Sequence, residues 1–369
     1  MKILRHLLWK KSVQGSPDGW LIAVVVFLSL FGVLMVYDAS VAIALRDFSD
    51  QYYYAKEQLK WLALGVVAMI VMARVDYHKW YGFALPLLLV SMGLLLAVFV
   101  PGLGLRVLGA NRWLNFGFFV LQPAELAKLV LIIYLAAWFS AKEKGRFGAF
   151  LLLVGIMFGL VIAEPDLGTG IVILGIALVM YFLSGASVKH FMFLVPVIVL
   201  GVMTLAVSSP YRFARLTSFF NPESDPLGAS YQIRQVLLSL GSGGLTGIGI
   251  GKSRQKYEYL PEANTDSIFA IIGEEVGFVG TFFVIGTFVF FVWRTFHIAT
   301  HAPDTFGRLL GSGIASFIGI QSILNIGAMT AVVPLTGIPL PFISYGGSSL
   351  VILLAASGVV LNISRQRKI

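Results

Sequence analysis

Ten runs of mostly apolar residues dominate the chain, at about 20–44, 59–73, 81–100, 123–140, 147–164, 167–184, 190–208, 267–293, 308–333 and 343–363. A helix needs about 20 apolar residues to cross the hydrocarbon core of a bilayer. Inside that core only helices or closed barrels satisfy every backbone N–H and C=O. The second run is short as drawn and extends into 54–60. The pattern predicts an all-α integral membrane protein: one polytopic domain over 1–369 with ten transmembrane helices. Charged residues make up 12% of the chain, against roughly 25% in soluble domains. The first run is too long for a signal-peptide core and lacks a small-residue cleavage site, so it reads as a span that stays in place.

Orientation follows from the basic residues between the runs. Lys2, Arg5, Lys10 and Lys11 precede the first, Arg74 and Lys79 follow the second, and Lys142, Lys144 and Arg146 follow the fourth. Lys189 follows the sixth, Arg294 and Arg308 flank the connection from eight to nine, and Arg365, Arg367 and Lys368 end the chain. In a ten-span arrangement all of these share one side, which the positive-inside rule makes cytoplasmic, together with both termini. The net charge of +9 then reports cytoplasmic loops and anionic headgroups; a nucleic-acid partner calls instead for a basic face on a soluble module. With no cysteine and five scattered histidines, no disulfide framework, thiolate metal site or His-based zinc motif is available.

The acids Asp38, Asp47, Asp50, Glu57, Glu164 and Asp166 fall on or near the outer side. The longest connection, 209–266, is extracytoplasmic, between spans seven and eight. Asn221-Pro222 and Asp225-Pro226 mark turns in it. Ile233, Val236, Leu237 and Leu240 are spaced for an interfacial amphipathic helix. No internal repeat supports an inverted-repeat transporter.

Polar chemistry concentrates between Gly241 and Gly277. The run Gly247-Ile-Gly249-Ile-Gly251-Lys252-Ser253 approaches a phosphate loop, but Thr246 stands where that motif needs glycine, and no helix start follows Lys252. On the outer side it also faces away from cytosolic ATP. Two readings stand: a flexible glycine hinge, or an amide cradle for a lipid diphosphate with Lys252, Arg254 and Lys256 supplying charge. Asp266, at the start of span eight, is either a helix cap or a general base at the membrane–water boundary. Glu274 and Glu275 lie deeper, where ionisable side chains face a polar cavity or a partner. Gly273-x-x-x-Gly277 predicts close packing beside them.

Three other places carry polar groups. Arg112-Trp113 precedes Gln122-Pro123-Ala124-Glu125-Leu126-Ala127-Lys128, with proline in the first turn of span four. Glu125 and Lys128 share a helix face, as a self-neutralising pair or as a buried cation kept for a phosphate and oriented by Glu125. Asp166, at the turn between spans five and six, is a cap for span six or a site residue. Pro334 to Ser349 breaks the helices between spans nine and ten, as a re-entrant loop lining a cavity or as a rigid turn.

Five blocks together resemble the SEDS family (shape, elongation, division and sporulation) of peptidoglycan polymerases. They are Tyr37-Asp38-Ala39-Ser40, Arg112-Trp113 with Gln122 to Lys128, Glu164 to Thr169, Gly241 to Gly277, and Pro339 to Ser348. The run from Gly251 to Glu262 is closer to the cell-division branch (FtsW) than to the rod-elongation branch (RodA). The resemblance implies ten spans in the bacterial cytoplasmic membrane, an active face on the extracytoplasmic side, and inverting glycosyl transfer on lipid II that releases undecaprenyl diphosphate. It maps an essential aspartate onto Asp266, and other important polar positions onto Arg112, Glu125, Lys128 and Asp166. It implies as partners a class B penicillin-binding protein transpeptidase and other divisome membrane proteins. No motif demands a cofactor, although a divalent cation on the diphosphate is compatible with the chemistry. The chain departs from the family in Asn264-Thr265-Asp266-Ser267, where His-Thr-Asp-Phe is frequent, and at Asp38, where Tyr-Ser-Ala-Ser is frequent. A lipid-linked precursor flippase and a non-catalytic scaffold recruiting a transpeptidase are the alternatives.

Overall fold

The computed structural model describes residues 15–366 apart from 108, 118, 142–145, 224–227, 229 and 258. Lys2, Arg5, Lys10, Lys11, Lys142, Lys144, Asp225-Pro226, Glu258, Arg367 and Lys368 therefore lie outside the described residues. Each apolar run forms a helix. In chain order these are α1 (Gly19–Phe48), α2 (Tyr53–Arg74), α3 (Lys79–Ala97), α4 (Pro123–Ser140), α5 (Phe147–Ala163), α6 (Leu167–Leu183) and α7 (Val188–Val207). After two short helices, α8 (Pro210–Phe220) and α9 (Tyr231–Gly243), come α10 (Ile268–Thr300), α11 (Thr305–Met329) and α12 (Gly347–Arg365). Seven of them, α1, α3, α4, α7, α10, α11 and α12, are long and apolar enough to cross a membrane. α5 and α6 are apolar helices of 17 residues. α2, with 22 residues, carries Lys56, Glu57 and Lys60 near its start.

The sequence places the helix starts. Asp18 caps α1 through Leu21 N–H, Asp166 caps α6, Asp304 caps α11, and Pro123 and Pro210 open α4 and α8. In the first turn proline's missing N–H costs nothing and its fixed φ suits the helix. α4, α11 and α12 are mostly buried and form the centre, with α12 along α2 and α11 against α4, α6 and α10. Large apolar side chains such as Leu30, Leu89, Leu200 and Phe282 face outward. An apolar exterior of that extent suits lipid, not water.

The all-α expectation holds for this body. Outside it, between α3 and α4, a three-stranded antiparallel sheet forms from β1 (Gly104–Val107), β2 (Ala110–Asn115) and β3 (Val120–Leu121). The polar residues and glycines between these short apolar pairs interrupt helical periodicity, and a hairpin satisfies their backbone groups instead.

The polar groups separate to two ends. At one, Arg294 Nη2 pairs with Asp18 Oδ2 at 2.6 Å, Gly15 N–H donates to Arg365 O at 2.8 Å, and Tyr77 N–H donates to Asn362 Oδ1 at 2.9 Å. The Tyr77 hydroxyl donates to Asp304, which also receives His78 Nε2 at 3.1 Å. The basic residues Arg74, Arg294 and Arg365 belong to these segments. At the other end the connections bearing Arg112, Asp166, Asp266 and Tyr345 surround one cavity.

Candidate active site

The cavity has a volume of about 1280 Å³. Arg112, Glu125, Asp166 and Asp266, four of the residues marked out in the sequence, all line it, although they come from β2, α4, the α5–α6 turn and the loop before α10. Glu57, Glu262 and the half-buried Arg212 and Arg215 complete its charged lining.

Asp266 is only 6% exposed. It does not cap α10, whose N-cap position is Ser267 with no side-chain cap bond. Its Oδ1 is instead buried without a hydrogen-bond partner. Burial first, and the charge of Glu262 second, push its pKa up to about 7, with Arg215 acting in the opposite direction. A carboxylate that gains and loses its proton near neutrality suits general-base work. The loop is clamped through its backbone. Asn325 Nδ2 on α11 donates to Asp266 O at 2.8 Å, Ser344 Oγ donates to Thr265 O at 2.6 Å, and Tyr345 N–H donates to Asn264 O at 2.9 Å. The Pro- and Gly-rich segment between α11 and α12 is thus both a cavity wall, through Gly337, Pro339 and Tyr345, and a seat for Asp266.

Arg112 on β2 reaches across to the α5–α6 turn, where Nε donates to Glu164 O at 3.1 Å and Nη2 to Pro165 O at 2.5 Å. Asp166 caps α6, accepting from Thr169 N–H at 3.0 Å and Thr169 Oγ1 at 2.9 Å, so the capping reading and its place in the cavity wall are both realised. Beside it Glu164 is fully buried with neither carboxylate oxygen partnered, and burial together with the Asp166 charge raises its pKa to about 8.

Lys128 is 1% exposed and is not part of the lining. Its Nζ donates to Glu125 Oε1 at 2.7 Å and Gln321 Oε1 at 2.8 Å and lies 4.8 Å from the centre of the Phe317 ring. Of the two readings, the geometry matches the internal pair: Lys128 is spent on Glu125 and Gln321, and it is Glu125 that reaches the cavity wall.

The basic cluster of the glycine stretch lies elsewhere. Lys252, Arg254 and Lys256 do not line the cavity. Lys256 is buried between Asp38 at 2.7 Å and Glu275 at 3.1 Å, while Lys252 and Arg254 are exposed. The amide cradle exists, but its anions are the chain's own. Gly251 and Ser253 N–H groups donate to Glu275 at 3.0 Å each, Arg254 N–H donates to Glu274 at 3.2 Å, and Ser253 Oγ donates to Glu274 at 2.5 Å. Nor is the glycine run a free hinge. α10 is broken at Gly277, whose φ is 67°, and the strap 244–249 repairs the break. Phe278 and Val279 N–H groups donate to Gly244 and Leu245, while Ile248 and Gly249 N–H groups donate to Glu274 and Glu275 carbonyls. The close packing expected from Gly273-x-x-x-Gly277 is met by Gly243 and Gly247, where a Cβ would strike the α10 backbone.

α8 was not expected, and with it Arg212 and Arg215. The Ser209-Pro210 start and the three-residue spacing of the two arginines were the available signals. Arg215 lies over the Tyr211 ring at 4.7 Å and donates to Leu335 O at 3.3 Å. In the anticipated interfacial helix, now α9, Ile233 and Val236 turn inward, and Ser239 Oγ donates to Ala270 O of α10 at 2.9 Å. Among the described residues no group of three or more His, Cys, Asp or Glu side chains is arranged to hold a metal ion.

Fold and site define a multi-pass membrane protein with a buried carboxylate in a cavity at one end that is lined by three arginines and four further acids. The family model for FtsW, RodA and SpoVE, described as a cell cycle protein, matches residues 19–369, and the chain belongs to that family. It is 44% identical over 95% of its length to stage V sporulation protein E of Bacillus subtilis (strain 168), covering 98% of that protein. It is 41% identical over 99% of its length to a probable peptidoglycan glycosyltransferase FtsW of Trichlorobacter lovleyi, covering 97% of it. Among solved structures it resembles a chain of a peptidoglycan synthase complex that coordinates polymerization and crosslinking, with TM-score 0.78, 29% identity, and coverage of 95% of this chain and 98% of that one. The rod shape determining protein RodA of Thermus thermophilus superposes with TM-score 0.71 at 29% identity, covering 95% of this chain and 97% of that one.

Proposed function

We propose that the chain is a peptidoglycan glycan-strand polymerase that joins lipid II units at the outer face of the bacterial cytoplasmic membrane, in septal wall synthesis. One observation carries the residue assignment: the cavity that holds the uncapped, buried Asp266 is also the place where Arg112, Arg212 and Arg215 meet. The body has ten spans with both termini cytoplasmic, which puts the end bearing Arg74, Arg294 and Arg365 inside and the cavity outside.

Asp266 takes the proton from the 4-hydroxyl of the acceptor N-acetylglucosamine. That oxygen forms a bond to C1 of the lipid-linked donor, the C1–oxygen bond to the diphosphate breaks with inversion, and undecaprenyl diphosphate leaves with the electron pair. The negative charge that gathers on the leaving group is what fixed cations stabilise best. Arg212 and Arg215 on α8, with Arg112 across the cavity, take the role that the sequence assigned to Lys252, Arg254 and Lys256. Glu125, held by Lys128, and Asp166 bind sugar hydroxyls. A class B penicillin-binding protein and other divisome membrane proteins act with the chain, a reading that the likeness to a polymerizing and crosslinking complex supports.

The test is to supply labelled lipid II to the purified protein and resolve the products by size. A ladder of glycan strands is expected; release of intact lipid II across a vesicle bilayer without a ladder supports a flippase, and neither product supports a scaffold. Arg215→Gln is expected to raise KM for lipid II by roughly 10–100-fold, the equivalent of one charge-assisted hydrogen bond of about 1.5–3 kcal/mol. Because Arg215 holds the Asp266 pKa down, the same variant moves the acid limb of the pH–rate profile upward.

A further inference from the structure

Two amide side chains one turn apart on α11 sit between the Asp266 loop and the Lys128–Glu125 pair. Asn325, 1% exposed, spends both N–H bonds on backbone carbonyls: Asp266 O at 2.8 Å and Ile338 O at 2.7 Å. Gln321, fully buried, donates from Nε2 to Pro339 O at 3.0 Å and accepts from Lys128 Nζ at 2.8 Å. Ile338 and Pro339 are adjacent, so the two amides grip consecutive carbonyls of one irregular segment. Residues four apart lie on one helix face, which lets a single rigid helix fix both grips. The carbonyls they hold belong to non-helical backbone, which has no ladder of its own to set its position.

We propose that Asn325 is a positioning residue for Asp266, and that Gln321 ties the same segment to the Lys128–Glu125 pair so that base and carboxylate face the substrate at a fixed separation. This rests on the assignment of Asp266 as the base. Asn325 touches the backbone of Asp266 and not the reacting atoms, so its effect falls on geometry. A misplacement of about 1 Å costs on the order of 10²-fold in rate.

Asn325→Asp is the sharpest probe, because it keeps the shape and replaces both donors with acceptors facing two carbonyl oxygens. Gln321→Glu removes the donor to Pro339 O while keeping the acceptor for Lys128. Both are measured on folded, detergent-purified full chain, with glycan-ladder kinetics, a pH–rate profile and a melting curve, beside Asp266→Asn. The expected result for Asn325→Asp is a kcat lowered by about 10²-fold, with KM within threefold and a displaced acid limb. Gln321→Glu is expected to show a smaller fall of the same kind. An Asn325→Asp protein whose melting temperature falls while kcat and pH profile per folded molecule stay at wild type overturns the proposal and leaves a structural role. Should Asn325→Asp not fold, Asn325→Ser, which retains one donor, takes its place, and wild-type kcat with it also overturns the proposal. If Asp266→Asn itself polymerises at the wild-type rate, the base assignment fails; if that variant is dead while Asn325→Asp turns over normally, only the positioning role fails.

Discussion

Asp266→Asn is expected to abolish glycan polymerisation and at the same time to raise the melting temperature. The first effect follows from chemistry. A sugar hydroxyl is a weak nucleophile, and a positioned general base contributes roughly 10²–10⁴-fold, all of which an amide forfeits. The second follows from burial. The Asp266 carboxylate is 6% exposed with Oδ1 unpartnered, and it is pushed to about 7 by desolvation and by Glu262, from an unfolded value near 4. Folding therefore favours its protonated form. The stability associated with that proton is fully present below the unfolded value and is lost as pH rises through about 7, so at neutral pH the ionised group is a cost. Asparagine is isosteric and never ionises. Its melting temperature should exceed wild type at pH 8, and the difference should vanish at pH 4. In wild type, kcat/KM should fall tenfold per unit below an apparent pKa near 7. A capping aspartate predicts no such gain at pH 8, since asparagine caps a helix about as well as aspartate.

Such an arrangement trades stability for reactivity, and it shows which parts of the site a sequence can disclose. The all-α, multi-pass body was legible because an apolar run of membrane length has one low-energy backbone solution. Arg112, Glu125, Asp166 and Asp266 were legible as polar residues at the ends of such runs, and the structure does bring these four to one cavity. Arg212 and Arg215 were missed because a short helix outside the apolar runs has no length signal, and Ser209-Pro210 reads equally as a turn. Asn325 lies inside a spanning run, where one amide announces neither its direction nor its partner. The Lys252–Lys256 cluster misled for a related reason. Charge along a loop is visible in sequence, but which side of the loop faces the substrate depends on Asp38, 218 positions away from Lys256.

Lys256 is where that difference can be measured. The side chains of Lys256, Asp38 and Glu275 are 4%, 9% and 0% exposed, with the ammonium 2.7 Å from one carboxylate and 3.1 Å from the other. Removing one partner of a buried ion pair costs about 3–5 kcal/mol, because the remaining charge is left without a counterion. A protein's whole stability is only about 5–15 kcal/mol, so Lys256→Met should sharply lower the yield of folded protein and its melting temperature. Amide donors from Gly251 and Ser253 still serve Glu275 after the substitution, whereas Asp38 Oδ1 loses its Lys256 contact and Oδ2 already lacks a hydrogen-bond partner. Asp38→Asn in the Lys256→Met background should therefore recover a large part of the loss, and more than Glu275→Gln does. A substrate-binding lysine gives the opposite pattern: Lys256→Met folds and melts as wild type, KM for lipid II rises, and Asp38→Asn rescues nothing. The strap explains why the ion pair bears on catalysis at all. The strap 244–249 closes the gap in α10 at Gly277, and Lys256 anchors the chain between that strap and Asp266. Releasing it at Lys256 frees the segment that delivers the base, so activity in the Lys256→Met protein should fall in step with the folded fraction and return with it in the Asp38→Asn double variant.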